Sequence, residues 1–430
     1  MPAICLCYEV HEPYNLRRYT VFDMGHNSLY EDDDRNCDTL LYNARACYLP
    51  TNDLFLKLIK RHKKEFRFAV SISGTALDQF EQYAPEVIDS FKALAATGCV
   101  EFMGETSAHS LAFLYSKNEF NHQVKTHSAR IKTLFGKKPI TFRHAEFIYN
   151  NDLAWALKDN GYKAVLSEGA DHVLGWRSPN YLYHSLGLSD MRLFLRNTSL
   201  SCDLDLNFSN QNWDSWPLTS EKYATWCHAL SNSADIINIF NDYHVIGLRH
   251  PKESGIFEFM EALPAAILAH KDFHFLTPGE IIKKIPAKGE IDVPGFISWA
   301  DEERDLTAWL GNDMQKDAIH ALYNLADRVR AIAAPDLLHD FERLQASDHF
   351  HYMSTKWFSE HLTDRPNPFG SPYDAYITFM NVLADFEMRL AASERAVKSK
   401  KHLPKASSTN KQTVSSSRVK TGKKTNPQVK

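Results

Sequence analysis

The chain has 430 residues, 44% hydrophobic and 12% aromatic, enough to bury a large core and too many for a minimal single module. Its formal net charge is −4, yet Lys398 to Lys430 carry ten Lys or Arg and no acid, so setting those ten charges aside leaves −14 on the rest. An acidic body excludes a fold built to grip nucleic acid, which needs a basic face for phosphates.

The N-terminus, MPAICLCYEVHEPY, holds a short apolar run without a basic leader or a small-residue cleavage site, and nowhere do eighteen apolar residues follow one another. A cytoplasmic protein with no membrane partner is the expectation. Short β-rich runs then recur, each followed by a loop and a helical pattern: Ile4 to Val10, Phe68 to Ser73, Cys99 to Met103, Ile140 to Phe142, Ala164 to Leu166, Leu193 to Leu195, Ile236 to Phe240 and Phe273 to Leu276. Strands alternating with helices mean right-handed βαβ units and a parallel sheet, and seven or eight of them in under 300 residues fit a barrel. Between them, Thr51-Asn52-Asp53 precedes the i, i+4 pairs Leu54 with Leu58 and Phe55 with Ile59, and Asn151-Asp152 opens a second helix.

After about residue 300 the pattern turns to long amphipathic helices, Asp313 to Ala333 and Tyr373 to about Val397. The expected organisation is an α/β barrel over 1–300, a helical region over 301–397 and a disordered basic tail over 398–430, whose composition cannot support ordering. Seven scattered cysteines without a CxxC pair read as reduced thiols.

In a β/α barrel, function gathers where strands end. The first strand runs into His11-Glu12-Pro13, the third into Gly104-Glu105, the fourth into Arg143-His144-Ala145-Glu146 and the seventh into Asp242-Tyr243-His244. Glycoside hydrolysis needs one carboxylate to attack or steer water and another to protonate the leaving oxygen, and Glu146 and Asp242 end different strands as such a pair should. From position alone, a carboxylate at a strand end is more often a helix cap or a salt-bridge partner than a catalytic group. The ligand-spaced pairs His270 with His274 and His250 with Glu253 do not lie on one helical face, so no metal is expected.

Six ordered blocks resemble glycoside hydrolase family 57 in its α-amylase branch over nearly all of residues 1 to 390: VHEPYNLRRYTVFDMG, the stretch from SISGTALDQF to CVEFMGET, HSLAFLYS, FRHAEFIYNNDLAWALKDNGYKAVLSEGADHVLGWRSPN, DYHVIGLRHPKESGIFEFMEALP and SWADEERDLTAWLGNDMQ. The resemblance implies an incomplete (β/α)7 barrel followed by a helical region, an α-glucan substrate, no cofactor and a retaining two-carboxylate mechanism. It implies Glu146 of FRHAE as nucleophile, Asp242 of the DY block as general acid/base and His11 as an active-site histidine. Glu12, His144 and His244 are expected beside the substrate, and Trp176, Trp213 and Trp216 are placed for sugar stacking or for packing.

Two blocks depart from the family pattern. FRNTE is replaced by Phe142-Arg143-His144-Ala145-Glu146, and DYETFGEH by Asp242-Tyr243-His244-Val245-Ile246-Gly247-Leu248-Arg249. An amide and an acid become His144 and His244, two possible cations beside the pair, while Glu12 replaces the usual Gln. The alternatives are therefore a weakened homologue that binds glucan without efficient turnover, or a metal-dependent polysaccharide deacetylase.

Overall fold

The first apolar run forms strand β1, Ala3–Val10, with all eight residues buried, as a strand covered by a barrel interior on one face and helices on the other must be. The computed structural model describes residues 2–356 and 367–401. Its further strands are β2 (Phe68–Ile72), β3 (Val100–Phe102), β4 (Thr141–Arg143), β5 (Ala164–Ser167), β6 (Tyr183–Ser185), β7 (Leu188–Leu195), β8 (Ile236–Asp242), β9 (His274–Phe275) and β10 (Glu290–Ile291).

Seven of these run parallel round a ring in the order β8, β1, β2, β3, β4, β5, β7. Gly104 stitches β3 to β4: its N–H donates to the Thr141 carbonyl and its carbonyl accepts from the Arg143 N–H, both at 2.9 Å. The return from β7 to β8 is a looser seam. It holds the Asn197 N–H to Asn238 carbonyl bond at 2.8 Å, and side chains add two more, Asn238 to the Leu195 carbonyl at 2.8 Å and Arg196 to the Phe240 carbonyl at 2.9 Å. The architecture is thus the incomplete (β/α)7 barrel. The eighth expected strand is β9, which pairs with the start of β1. Two short strands escaped the sequence reading: β6, antiparallel to β7, and β10 beside it.

The helix expected to open at Thr51-Asn52-Asp53 starts earlier. Leu49–Arg61 continues without a break from a wide π-type turn at Ala44–Tyr48, and Thr51 and Asn52 are buried within it. Asn52 donates to Ser90 Oγ at 2.7 Å and accepts from the Tyr243 hydroxyl. Polar capping residues here serve tertiary contacts, which outweigh local preference. Asn150 opens Asn151–Asp159 by accepting from the Leu153 N–H at 2.9 Å.

The long helix expected from Asp313 to Ala333 is two, Asp313–Tyr323 and Ala326–Ile332. The last helix, Pro372–Lys401, passes the expected start of the tail, whose remainder lies outside the described residues. Ile319, Leu322, Val329, Phe386 and Leu390 share one apolar cluster with Phe142, Val165 and Leu193 of the strands. The core has no gap at residue 300. Among the described residues, no helix is long and apolar enough to cross a membrane.

Because Leu322 is fully buried in that shared cluster, Leu322→Ala should cost about 2–5 kcal/mol. Urea unfolding followed by Trp fluorescence and by far-UV circular dichroism should give one coincident transition at a lowered midpoint. Two separated transitions would mean that the helical region folds apart from the barrel.

Candidate active site

Alternation along β1 turns Glu9 and His11 to the same face as Cys5 and Cys7, toward the interior of the ring. Glu9 is buried and ion-paired with the equally buried Arg143 at the end of β4. The Arg143 guanidinium also lies 4.3 Å from the Phe147 ring centre. In register, Glu9 stands opposite Asp242 on β8. Burial pushes the Glu9 carboxyl up to about 7, against the pull of Arg143 and His109, and the charges of Glu146 and Asp242 add to the push. Glu9 therefore senses the carboxylates on both sides of it.

Glu146 follows β4 in a left-handed backbone conformation, φ 57° and ψ 24°, and Phe147 continues it at φ 51°. Such backbone costs about 1–2 kcal/mol per non-glycine residue and persists only where the surroundings impose it. Here Phe147 lies parallel to Phe240, with ring centres 5.7 Å apart, and its backbone neighbour Glu146 is held by Trp299 and Ser347. The turn returns the Glu146 side chain to the cluster, 2% exposed. Trp299 Nε1 donates to its Oε2 at 2.9 Å and the Ser347 hydroxyl donates to its Oε1 at 2.8 Å. His109 Nε2 lies 3.5 Å from Oε1 and 3.4 Å from Glu9 Oε1. His11 joins through its ring, stacked on His109 at 3.8 Å, with Nδ1 2.8 Å from Ser73 Oγ and Nε2 2.7 Å from Asp348 Oδ2.

The Asp242 side of the mouth is a second network. Asp242 Oδ1 accepts from the His244 backbone N–H at 2.9 Å, and the His244 ring comes within 3.7 Å of the same oxygen. The far ring nitrogen of His244 reaches Tyr48 Oη at 2.5 Å and Glu12 Oε1 at 3.2 Å. Tyr48 and Asn43 also donate to that Glu12 oxygen, at 2.7 and 2.8 Å. Burial drives the Glu12 carboxyl up, but His244, Tyr48 and Asn43 together hold it below its usual value. The wide turn at Ala44–Tyr48 delivers Tyr48, and Gly247, at φ +98°, lets the loop after Asp242 approach that turn: a Cβ there would sit 2.1 Å from the Ala46 carbonyl.

His144 does not join either network. Since Arg143 points inward, alternation sends Phe142 and His144 outward into the helix layer. The imidazole is fully buried near Phe113, Phe120 and Phe142, with Nδ1 3.0 Å from the Ala145 carbonyl. Burial pushes it down to about 4, so it is neither a cation nor a substrate contact near neutral pH. Of the tryptophans expected to stack on sugar, Trp213 packs edge-on against Trp226 at 5.9 Å and is a packing anchor. Trp176 and Trp216 are 89% and 44% exposed.

Sequence reasoning missed Glu9, His109, Trp299, Ser347 and Asp348. An acid inside the apolar run ICLCYEV was the legible signal for Glu9; the others come together only through the fold. His250 is engaged by Ser209 and by the Leu204 and Asp205 carbonyls, which removes it from the ligand pair with Glu253. Among the described residues, the ligand-type side chains that do converge are Glu9, Glu105 and His109. Of these, Glu9 is ion-paired with Arg143, and the His109 ring lies between the two carboxylates, 3.4 Å from Glu9 and 3.8 Å from Glu105.

The family model "Glycosyl hydrolase family 57" matches residues 5–294. A Methanocaldococcus jannaschii protein named "Putative alpha-amylase" is 38% identical over 395 residues, covering 88% of this chain and 83% of that protein. Among solved structures, a GH57 branching enzyme from Thermococcus kodakaraensis superposes with a TM-score of 0.69 at 14% identity, over 92% of this chain and 91% of that one. A 4-alpha-glucanotransferase from Thermococcus litoralis superposes with a TM-score of 0.64 at 13% identity over 90% of this chain, which spans 60% of that enzyme. At these identities the superpositions show the fold.

The placement of His144 has a measurable consequence. With its folded value near 4 and an unfolded value near 6.5, it contributes stability that is present above pH 6.5 and lost as pH falls through 4. His144→Phe, which keeps the aromatic packing, should therefore lose less of its urea midpoint than the parent between about pH 7 and about pH 4.5. An equal decline in both proteins would show that this imidazole is not buried neutral.

Proposed function

The chain belongs to glycosyl hydrolase family 57, and from that premise we propose a retaining glycosidase or transglycosidase that acts on α-1,4-glucans such as starch, glycogen or maltooligosaccharides, with Glu146 as nucleophile and Asp242 as general acid and base. The names carried by its relatives, alpha-amylase, branching enzyme and 4-alpha-glucanotransferase, supply the substrate class. The observation that carries the reading is the tethering of Glu146. A buried carboxylate held on both oxygens by Trp299 and Ser347 is aimed rather than mobile, which is what attack on a positioned carbon requires.

The chemistry then runs in two displacements. In the first, Glu146 attacks the anomeric carbon, the bond to the leaving glucan breaks and Asp242 gives its proton to the departing oxygen. The sugar is left covalently on Glu146. In the second, Asp242 takes a proton from an incoming water, or from a hydroxyl of another glucan, whose oxygen attacks the same carbon and frees Glu146. Water as acceptor gives hydrolysis and a second glucan gives transfer. A double displacement with these roles calls for carboxyl groups about 5–5.5 Å apart.

A second reading, a homologue that binds glucan with little turnover, is favoured by the His244 ring 3.7 Å from Asp242. A cation there opposes the protonated state that the acid needs, while Glu12 on the far side of the ring supplies negative potential in return. The cytoplasmic setting is part of the same proposal: all seven cysteines are free and five of them are buried, as suits a reducing compartment.

Asp242→Asn should lower kcat on maltoheptaose by about 10²–10⁴-fold, the usual contribution of general acid–base catalysis. Glu146→Gln should abolish formation of the glycosyl-enzyme. Proton NMR of the first product should show an α anomer from the parent protein. Equal reducing-sugar release from the parent and Glu146→Gln would remove the nucleophile assignment, and no turnover by the parent alongside tight maltoheptaose binding would favour the second reading.

A further inference from the structure

We propose that His109 is a positioning residue for the Glu146 carboxylate, an imidazolium clamped among Glu9, Glu105 and Glu146 that keeps the nucleophile ionised and aimed. The inference rests on the glycosidase reading, since it assigns a role relative to that reaction.

The ring and the backbone of His109 converge on one oxygen. Its Nε2 lies 3.5 Å from Glu146 Oε1, and its carbonyl accepts from the Ser347 N–H at 3.0 Å, while the Ser347 hydroxyl donates to that same Oε1 at 2.8 Å. His109 holds this place in left-handed backbone, φ 51°, a conformation that a histidine adopts at a cost and that its surroundings must impose. Its N–H donates to the Thr106 carbonyl at 3.0 Å, and the neighbouring Ser110 bridges to Ala346 of the helical region. The ring plane is set by stacking on His11 at 3.8 Å and an interplanar angle of 19°.

Charge balance favours the proton. Facing the fully buried ring are Glu9 from β1 and His11 just past it, Glu105 from its own loop, and Arg143 and Glu146 from the end of β4 and the turn after it, with Asp348 behind His11. The Glu105 carboxylate is completely enclosed, and the nearest cationic nitrogen is His109 Nδ1 at 3.8 Å. A neutral His109 would take the imidazolium away from the enclosed Glu105 carboxylate and remove a positive charge from between Glu9 and Glu146, and an uncompensated buried carboxylate is severely unfavourable. Burial opposes the charge on His109, but Glu9, Glu105 and Glu146 together push it up to about 10. Next to it, His127 is the neutral counterpart: Nδ1 accepts from the Glu105 N–H at 3.2 Å and Nε2 donates to the Ile72 carbonyl at 2.8 Å. The imidazolium thus confronts both the proposed nucleophile and the Glu9 carboxyl that stands opposite Asp242.

Two measurements test this. In the first, kcat and KM on maltoheptaose are followed from acid to alkaline pH for the parent, His109→Gln and His109→Lys. His109→Gln should lower kcat about 10²-fold, the scale for losing one fixed electrostatic contact in a closed site, with KM nearly unchanged. The acid limb of its kcat/KM profile should move to higher pH, because Glu146 then takes up a proton more readily, and His109→Lys should return that limb toward the parent position. An unmoved limb, or a loss confined to KM, overturns the proposal. In the second, which needs neither activity nor a folded variant, [15N]histidine NMR of the parent protein should show one ring with both nitrogens protonated at pH 8.5. Finding every ring neutral there overturns the proposal even if glucan turnover is normal. A protonated ring in a protein that turns over no glucan puts the failure on the glycosidase reading, and the positioning role falls with it.

Discussion

The site is organised by the need to neutralise charge where water is excluded. Glu9, Glu105 and Glu146 lie with Arg143 and His109 at the mouth of the barrel, and all five are essentially inaccessible. Each such ion costs several kcal/mol to desolvate, and only mutual pairing offsets that cost. The Arg143 to Glu9 pair spans from β4 to β1, while β2 and β3 complete the arc between them, so strand register and charge balance are one constraint. A slip of one residue in β1 would turn Glu9 into the helix layer and leave Arg143 without its partner.

The two proposed reacting carboxylates draw on different supports, and β1 serves both. On one side, Trp299 and Ser347 hold Glu146 from beyond the region matched by the family model. Asp348, next to Ser347, holds His11. The helical region is therefore part of the site, in keeping with the apolar cluster it shares with β4, β5 and β7. On the other side, Asp242 sits at the edge of an uncharged-to-charged chain of contacts from Asn43 and Tyr48 through Glu12 to His244. Relative to the family pattern, the acid has moved to the other side of this contact: Glu12 stands in place of the usual Gln and the His244 imidazole in place of an acid.

Much of the barrel was legible in sequence because most of its strands are buried along their length and read as short, largely apolar runs. Glu146 and Asp242 were assigned through the family resemblance, because a place just past a strand end is shared by capping and salt-bridging acids. His144 was misjudged because a change of residue type was weighed without the alternation that points it away from Arg143. Trp299, Ser347 and Asp348 were hidden because nothing local distinguishes a serine that reaches a carboxylate from one that caps a helix; Ser347 begins a helix, Ser347–His351, and faces the site from it. The break at Asn324 and Leu325 within the expected long helix was hidden as well, since the apolar stripe continues across it.

The tether between Ser347 and Glu146 joins residues 201 positions apart. At about 5–20 residues per second, a ribosome needs on the order of 10–40 s to travel between them. Once residue 291 has been made the emerging chain contains every strand of the ring, yet until residues 347 and 348 follow, the carboxylate after β4 lacks its Ser347 anchor and His11 lacks Asp348. On the proposed roles, competence arrives late in biosynthesis: an immature chain carries its proposed nucleophile without the Ser347 tether until the closing helices dock.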